Sequence, residues 1–228
     1  MSMTFTMRGT ESVISASVFP PCVLEENKPY YIGLIDLEVF NSIPNVDETN
    51  NLLHYGEESP LVIPTGCYEL DQINEYVQSR LGEDKISITT NHPTQQTVIH
   101  SKYIIDFSQP NSIGSLLGFS PRKLSAKVNN LSDRAVQITK VNVILVDCNL
   151  ASGSYLNGQE GHTIHQFAIT TPPGYKLVEV PANVIYLPVK TKYIDNITVK
   201  VTDQNGNPVN LRNETITIRL HLKHGLHF

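Results

Sequence analysis

The sequence predicts an all-β protein, an antiparallel β-sandwich that carries a helix–strand–strand–helix insertion. Period-two alternation of apolar and polar residues recurs along most of the chain, which is typical of strands with one buried face. The 3.6-residue spacing of a helix stands out in only one long segment. The 228 residues are 40% hydrophobic and only 17% charged, a composition that favours a large core and further contacts with other chains.

The strands are predicted at both ends of the chain and in two long apolar stretches between them. Met3, Phe5 and Met7 alternate with two threonines, and the last strand alternates from Ile216 to Leu222. The stretches 30–40 and 135–148 are apolar on both faces, as central strands covered on two sides are. The predicted strands of the sandwich are residues 3–7, 12–18, 30–40, 135–148, 184–189, 197–201 and 216–222.

The inserted unit is predicted over residues 64–122, within a single domain that spans residues 1–228. One helical stripe consists of Leu70, Ile73, Val77 and Leu81. Gly82 follows this stripe as a stop signal. The elements expected in the unit are a helix at 69–81, strands at 86–90 and 97–107, and a short helix at 113–117 that Asn111 or Ser112 caps.

Two long polar segments are expected to lie outside the sheets. Residues 43–58 are rich in Asn and Glu, and residues 149–161 are rich in Gly and Ser. Such compositions are typical of loops. We therefore expect both segments to be free to contact a neighbouring molecule.

The composition and the cysteines argue against several classes of protein. A net charge of −5 does not fit a nucleic-acid-binding surface. No apolar run reaches the roughly 18 residues of a membrane helix, and the N-terminal residues lack the basic start and apolar block of a signal peptide. Cys22, Cys67 and Cys148 are odd in number and far apart, so we expect free thiols in a reducing compartment.

The histidines offer the first candidates for a metal site. His162 and His165 lie three residues apart in a β-prone segment. On a strand this spacing places them on opposite faces, which prevents chelation, so we interpret both as structural. His221, His224 and His227 share the spacing but have no carboxylate or cysteine nearby, and we interpret them as part of a frayed tail.

The segment after residue 202 resembles a calcium loop but lacks a required residue. Asp203, Asn205, Asn207 and Glu214 match ligand positions, yet the place of the invariant glycine is taken by Pro208. A turn between two strands explains these residues better.

The remaining candidates for chemistry are weak. Ser115 lacks the spacing of a nucleophile elbow, and Cys67 has no activating base near it in the sequence. Arg122, Lys123 and Lys127 form a thin basic cluster that fits a solvated loop better than a binding surface. We therefore predict no enzymatic activity and no catalytic, cofactor-binding or metal-binding residues.

Motifs along nearly the whole chain resemble a known family. They are F-P-P at 19–21, G-L-I-D-L-E-V-F-N-S-I-P-N at 33–45, I-P-T-G-C-Y-E-L at 63–70, D-F-S-Q-P-N-S-I-G-S-L-L-G-F at 106–119, H-T-I-H-Q-F at 162–167, P-P-G-Y-K at 172–176, V-I-Y-L-P-V at 184–189, D-Q-N-G at 203–206 and E-T-I-T-I-R-L-H-L-K at 214–223. With these motifs the chain resembles the small capsid proteins of Polinton/Maverick-type elements and of adintovirus-like viruses.

The resemblance implies a jelly-roll structural protein of the penton or minor-capsid type. It would assemble with itself, with a pentamer favoured, and with the major capsid protein of the same element, in virions that form in the nucleus or cytoplasm of a host cell. Two alternatives remain open. One is a host or domesticated β-sandwich that binds carbohydrate or peptide in a groove lined by Tyr30, Tyr31, Tyr155 and Tyr175. The other is a hydrolase with a metal at His162 and His165, which lacks a third ligand.

Overall fold

The computed structural model describes residues 2–225, which are mainly β-strands, as predicted. The first elements are β1 (Ser2–Gly9), β2 (Val13–Val23), β3 (Tyr30–Phe40), β4 (Leu52–Leu53), β5 (Leu61–Val62), α1 (Leu70–Leu81), β6 (Ile86–Asn91), β7 (Gln96–Ser101), β8 (Ile105–Asp106), a 3-10 helix (Ile113–Ser115), β9 (Lys123–Leu124) and β10 (Asn129–Ala135). The others are β11 (Val143–Cys148), β12 (Ser154–Leu156), β13 (Gln159–Gly161), β14 (Thr163–Ala168), β15 (Lys176–Glu179), β16 (Leu187–Val189), β17 (Tyr193–Asp203) and β18 (Ile216–His224).

The chain forms two compact units. Unit 1 consists of Met1–Ile43 together with Val141–Phe228, and unit 2 consists of Pro44–Lys140. The range predicted as an insertion, 64–122, falls within unit 2. That this range is an insertion on one domain of 228 residues stays a prediction.

Unit 1 is a jelly-roll-like sandwich of two antiparallel sheets. One sheet has the order β1-β18-β3-β15, with β16 also paired to β3, and the other has the order β14-β11-β17-β2. When the main strands are numbered along the chain, with β15 and β16 as one interrupted strand, the orders are 1-8-3-6 and 5-4-7-2. This is the arrangement of two Greek keys in a jelly roll.

The core of unit 1 lies between the inner faces of the two sheets. Ile218 is fully buried in β18, whereas Thr217 is half-buried on the other face. The predicted facing of this strand is therefore confirmed. Tyr30, one of the tyrosines of the alternative groove, is only 1% exposed and belongs to this core. The exposure that this alternative required of Tyr30 is therefore wrong, because a strand with apolar residues on both faces gives no sign of which face each side chain occupies.

The prediction of one strand over residues 135–148 is wrong for its first half. β10 ends at Ala135 and β11 begins at Val143. Val136 and Ile138 pack against the core of unit 2, whereas Val141 belongs to the core of unit 1. The apolar run that indicated one strand therefore serves two cores.

Unit 2 contains the helix and a three-stranded sheet of order β10-β7-β6. α1 begins one residue later than predicted and buries the expected stripe, Leu70, Ile73, Val77 and Leu81. The side chain of Gln72 accepts a hydrogen bond from the amide of Glu69 and closes a capping box.

The second predicted helix, 113–117, is a short 3-10 helix. The hydroxyl of Ser112 accepts a hydrogen bond from the amide of Gly114 and caps it, as expected. The helix ends early because the chain turns at Gly118, where φ is +83° and the carbonyl of Arg134 packs against Cα.

The segment 43–58 is not the free loop that we expected. Leu52–Leu53 pairs with β5, and Asn45, Asp47 and Asn50 are buried. The amide nitrogen of Asn45 donates to the carbonyls of Tyr68 and Ile138 at 2.7 and 2.8 Å. Asp47 pairs with Lys140 at 2.5 Å. These side chains replace backbone pairing and hold the two ends of unit 2 together.

The segment 149–161 is also more ordered than expected. Its second half forms a hairpin of β12 and β13, with Tyr155 opposite Glu160. Asn157 and Gly158 at the turn have φ values of +50° and +82°, as two-residue hairpin turns require.

Candidate functional site

The histidines predicted to be structural have separate hydrogen-bond partners. His162 Nδ1 donates to the carbonyl of Ala151 at 2.6 Å, and His165 Nε2 lies 2.8 Å from the carboxylate of Glu179. Within residues 2–225, no group of three or more His, Cys, Asp and Glu side chains is placed to hold a metal.

The histidines of the last strand also have partners. His221 contacts Ser2 Oγ and Tyr186 Oη, each at 2.7 Å, and His224 packs edge-on to Tyr30. These two residues lie in β18 rather than in a frayed tail, so that interpretation was wrong for them. His227 lies outside the described residues.

The segment that resembles a calcium loop is a turn in which the side chain of Asp203 binds backbone amides. Asp203 Oδ1 accepts hydrogen bonds from the amides of Asn205 and Asn207, both at 2.8 Å. Asp203 is 7% exposed and lies at the end of β17. Its carboxylate therefore orders the turn.

The basic cluster is largely neutralised by neighbouring carboxylates. Arg122 bonds to Asp133, and Lys123 lies 3.6 Å from Asp106. The amide of Ser120 and the guanidinium of Arg122 lower the pKa of Asp133. Lys127 does not join these pairs among the contacts of the described residues.

No helix in residues 2–225 is long and apolar enough to cross a membrane.

The cysteines of unit 1 are poor nucleophiles. Burial raises the pKa of the Cys148 thiol to about 11, and burial also raises the pKa of Cys22. The thiol of Cys22 donates to the sulfur of Met3 at 3.6 Å, which joins β2 to β1. The thiolate that covalent catalysis requires is therefore disfavoured at both positions.

Exposed apolar residues of unit 1 form two surface patches, of which the first lies at β15. We define the β15 patch as Phe40, Tyr175 and Val178, which are 50%, 67% and 51% exposed. In the register of β15 on β3, Phe40 faces Lys176 and Val178 faces Glu38. Lys176 and Glu38 form an ion pair at 2.6 Å between the apolar side chains.

The second surface lies at a break in β2. We define the bulge patch as Phe19, Val23 and Tyr193, which are 94%, 68% and 54% exposed. Val23 lies directly opposite Tyr193, and the register of β17 on β2 shifts between Ile194 and Asn196. The sequence indicated Phe19 only as part of a motif, because exposure of one aromatic residue in a strand has no signature in sequence.

The two patches lie on opposite flanks of the sandwich. The Met3–Cys22 contact places the β2 edge beside the β1 edge. The His165–Glu179 contact places the β14 edge beside the β15 edge. Since each sheet has these strands at its two ends, the β15 patch and the bulge patch are separated by the width of the sheets.

The tyrosines of the alternative groove are not brought together. Tyr30 is buried at the start of β3, and the carbonyl of Tyr175 bonds to Asn41 just after its end. A strand of this length separates the two by about 30 Å. Tyr155 is 69% exposed on the β12–β13 hairpin.

A shallow cleft of 390 Å³ lies beside this hairpin. It is lined by Asn149, Leu150, Ser152, Glu160, His162, Lys190 and Thr191. The ion pair of Lys190 and Glu160, at 2.9 Å, joins two of its walls. Most of its polar groups already have protein partners, such as the carbonyl of Pro188 for Ser152.

Comparisons with known proteins reveal a likeness in structure. No protein-family profile matches the chain, and no curated protein matches it. The chain is similar in structure to a crystal structure of selenomethionine-labelled mavirus penton protein, with 10% sequence identity, 99% of each chain covered and a TM-score of 0.51. At this identity the likeness establishes a common fold.

Proposed function

We propose that this protein is a structural subunit of a viral or virus-derived capsid, of the penton or minor-capsid type, without enzymatic activity. The observation that carries this is the full-length likeness to a penton protein, which covers 99% of both chains. The jelly-roll strand order of unit 1 agrees with it. The finer assignment, to Polinton/Maverick-type elements or adintovirus-like viruses, has its support in the motifs of the sequence.

The subunit forms a closed ring through head-to-tail contacts. The β15 patch and the bulge patch each consist of one Phe, one Tyr and one Val, but they belong to different strands and lie on opposite flanks of unit 1. Two different apolar surfaces on opposite flanks suit a heterologous contact, which closes into a ring when the rotation allows it. A five-fold ring is favoured by the resemblance in sequence.

Unit 2 gives the subunit a second surface for partners. It occupies the connection between the third and fourth strands of the jelly roll. In this proposal it contacts the major capsid protein of the same element, and the virion assembles in the nucleus or cytoplasm of the host cell.

Analytical ultracentrifugation across a wide concentration range tests this function. We expect a species of about 127 kDa, five times the chain mass of 25.4 kDa. The ring should persist in moderate salt, because the patches are apolar. A protein that stays monomeric, even when it is mixed with the major capsid protein of the same element, would overturn the capsid role.

A carbohydrate- or peptide-binding module is the second candidate. Tyr155 favours it, because this exposed ring lies opposite Glu160, which lines the cleft beside the hairpin. Stacking of a sugar on an exposed aromatic ring beside a carboxylate is a common mode of recognition. A glycan array screened with the wild type and with Tyr155→Ala tests it, and binding by a monomer that the variant loses would support this candidate.

A further inference from the structure

Among residues 2–225, the outer edge of β1 is a regular strand edge without a partner strand. β1 pairs with β18 over all eight residues, from Ser2 opposite Lys223 to Gly9 opposite Ile216, with no shift of register. Within residues 2–225, no strand pairs with its other side. An antiparallel strand directs about half of its backbone groups to each side. The outer half in β1 therefore points away from the sheet.

The other three edges of the sandwich are interrupted. β2 contains Pro20 and Pro21 at its break in register. β14 has a bulge opposite Val146. The last edge is divided into two short strands, β15 and β16, because the intervening segment leaves the sheet and packs Val184 against Gly33. Prolines, bulges and short strands are the usual devices that prevent pairing at an edge, and β1 has none of them.

Five residues of β1 form a sequence that is symmetrical about Phe5. Residues 3–7 read Met-Thr-Phe-Thr-Met, with Phe5 at the centre. If two such strands pair antiparallel about Phe5, each Thr4 faces Thr6 of the second copy, and each Met3 faces Met7. Thr–Thr and apolar cross-strand pairs stabilise antiparallel sheets.

We propose that β1 is a self-pairing edge, which joins the first sheets of two copies of this chain across a two-fold axis at Phe5. Met3 and Phe5 are only half-buried and pack at the margin of the core. An added strand covers them and extends the apolar layer. The outer face carries Ser2, Thr4 and Thr6, with no charge until Arg8.

The charges of the strand do not oppose this pairing. In the two-fold register Arg8 faces Ser2 of the second copy. The two Arg8 side chains then lie about 20 Å apart along the ribbon, which exceeds the Debye length in physiological salt.

This contact differs in symmetry from the ring proposed above. It is isologous, since the same surface is used by both copies, whereas the ring uses two different patches. It includes no residue of the β15 patch or of the bulge patch, but the β1 edge lies beside the β2 edge that carries the bulge patch. The contact therefore joins free chains rather than chains within a ring.

Register-specific cross-linking tests the contact. Thr4→Cys and Thr6→Cys are prepared separately, with Cys22 and Cys67 replaced by serine in both. In the proposed register residue 4 faces residue 6, at a separation that a disulfide spans, whereas two residues 4 lie about 8 Å apart and cannot be bridged. We expect a disulfide dimer under mild oxidation in the mixture of the two variants and not in either variant alone. No dimer in the mixture, or equal dimer in all three samples, overturns the proposal.

A charge pair provides the second test. Thr4→Glu with Thr6→Glu places two like-charged pairs across the axis, and should raise the dissociation constant of the dimer about tenfold or more. Thr4→Glu with Thr6→Lys places opposite charges across the axis and should return the dissociation constant to that of the wild type. Both positions are exposed, so circular dichroism and the unfolding midpoint serve as folding controls. Equal association of the two doubly substituted proteins would contradict the two-fold register.

Discussion

Asn74 on α1 accepts a hydrogen bond from the backbone amide of Ile88 at 2.8 Å. One turn later, the amide nitrogen of Gln78 donates to the carbonyl of Ile86 at 2.9 Å. Asn74 also donates to Gln78 at 3.2 Å. The helix therefore satisfies the edge of β6 with side chains, and no further strand of the part of the chain that the structure describes pairs with this edge.

Loss of this side-chain pairing should destabilise unit 2 and uncover the β6 edge. We expect Asn74→Ala with Gln78→Ala to lower the free energy of unfolding by about 1–3 kcal/mol, because backbone groups of β6 lose their partners. We also expect faster aggregation, as exposed edges pair with other chains. Urea unfolding and light scattering measure both effects. Glu75→Gln, at an exposed position of the same helix, should change neither.

The facing of β18 predicts very different costs for two adjacent substitutions. Ile218→Asn should lower the free energy of unfolding by several kcal/mol, because it places an amide without partners in the core of unit 1. Thr217→Asn adds the same side chain on the outer face and should cost much less. Equal melting temperatures for the two variants would contradict this facing.

Protonation of Asp47 should make unit 2 less stable in acid. Burial raises the pKa of this carboxyl, but hydrogen bonds from Lys140 and Thr49 outweigh burial, and the net pKa is lowered. Because the folded pKa lies below the unfolded value, the contribution is complete above the unfolded pKa and is lost as pH falls through the folded pKa.

Urea unfolding at pH 7, 5 and 3 measures this contribution. Asp47→Asn should be less stable than the wild type at pH 7, and the difference should shrink below about pH 4, the ordinary range of an aspartate. Asp71→Asn, at an exposed position of α1, is the matched control. A difference that stays constant with pH would show that the charge of Asp47 contributes nothing.

Phe19 should be an anchor of the proposed ring contact. Its side chain is 94% exposed, so Phe19→Ser should leave the unfolding midpoint unchanged. It should weaken assembly by about 2 kcal/mol or more, as the loss of an aromatic anchor does at other interfaces. Sedimentation velocity measures the assembly. Val62→Ser, at an exposed apolar position of unit 2, is the control, and similar losses in both variants would point to a general effect of surface hydrophobicity.

Local signals in the sequence were enough to predict α1 and the long strand β3. The stripe, the stop at Gly82 and the apolar run from Tyr30 to Phe40 all depend on neighbours in the chain. The boundary between the two units was not predictable in this way. Val136 and Val141 look alike in the sequence and belong to different cores only because of residues far away in the chain.

The surface features were the least predictable. The pairing of Asn74 with Ile88 requires the helix to lie along a particular strand, which no local pattern specifies. The exposure of Phe19 depends on a register break in β2. The expectation that residues 43–58 form a free loop was wrong for a related reason, because the polar side chains of Asn45 and Asp47 bind within the unit instead of facing solvent.

The bonds from Asn45 to Ile138 and from Asp47 to Lys140 have an evolutionary consequence. They join the first and last residues of unit 2 to each other, so the unit is closed at its two ends by its own side chains. Insertions, deletions and substitutions between these ends can occur without moving the two points at which the chain leaves and rejoins the jelly roll. Sequence variation in this protein should therefore accumulate between these ends, while the four closing residues and the eight strands change slowly together.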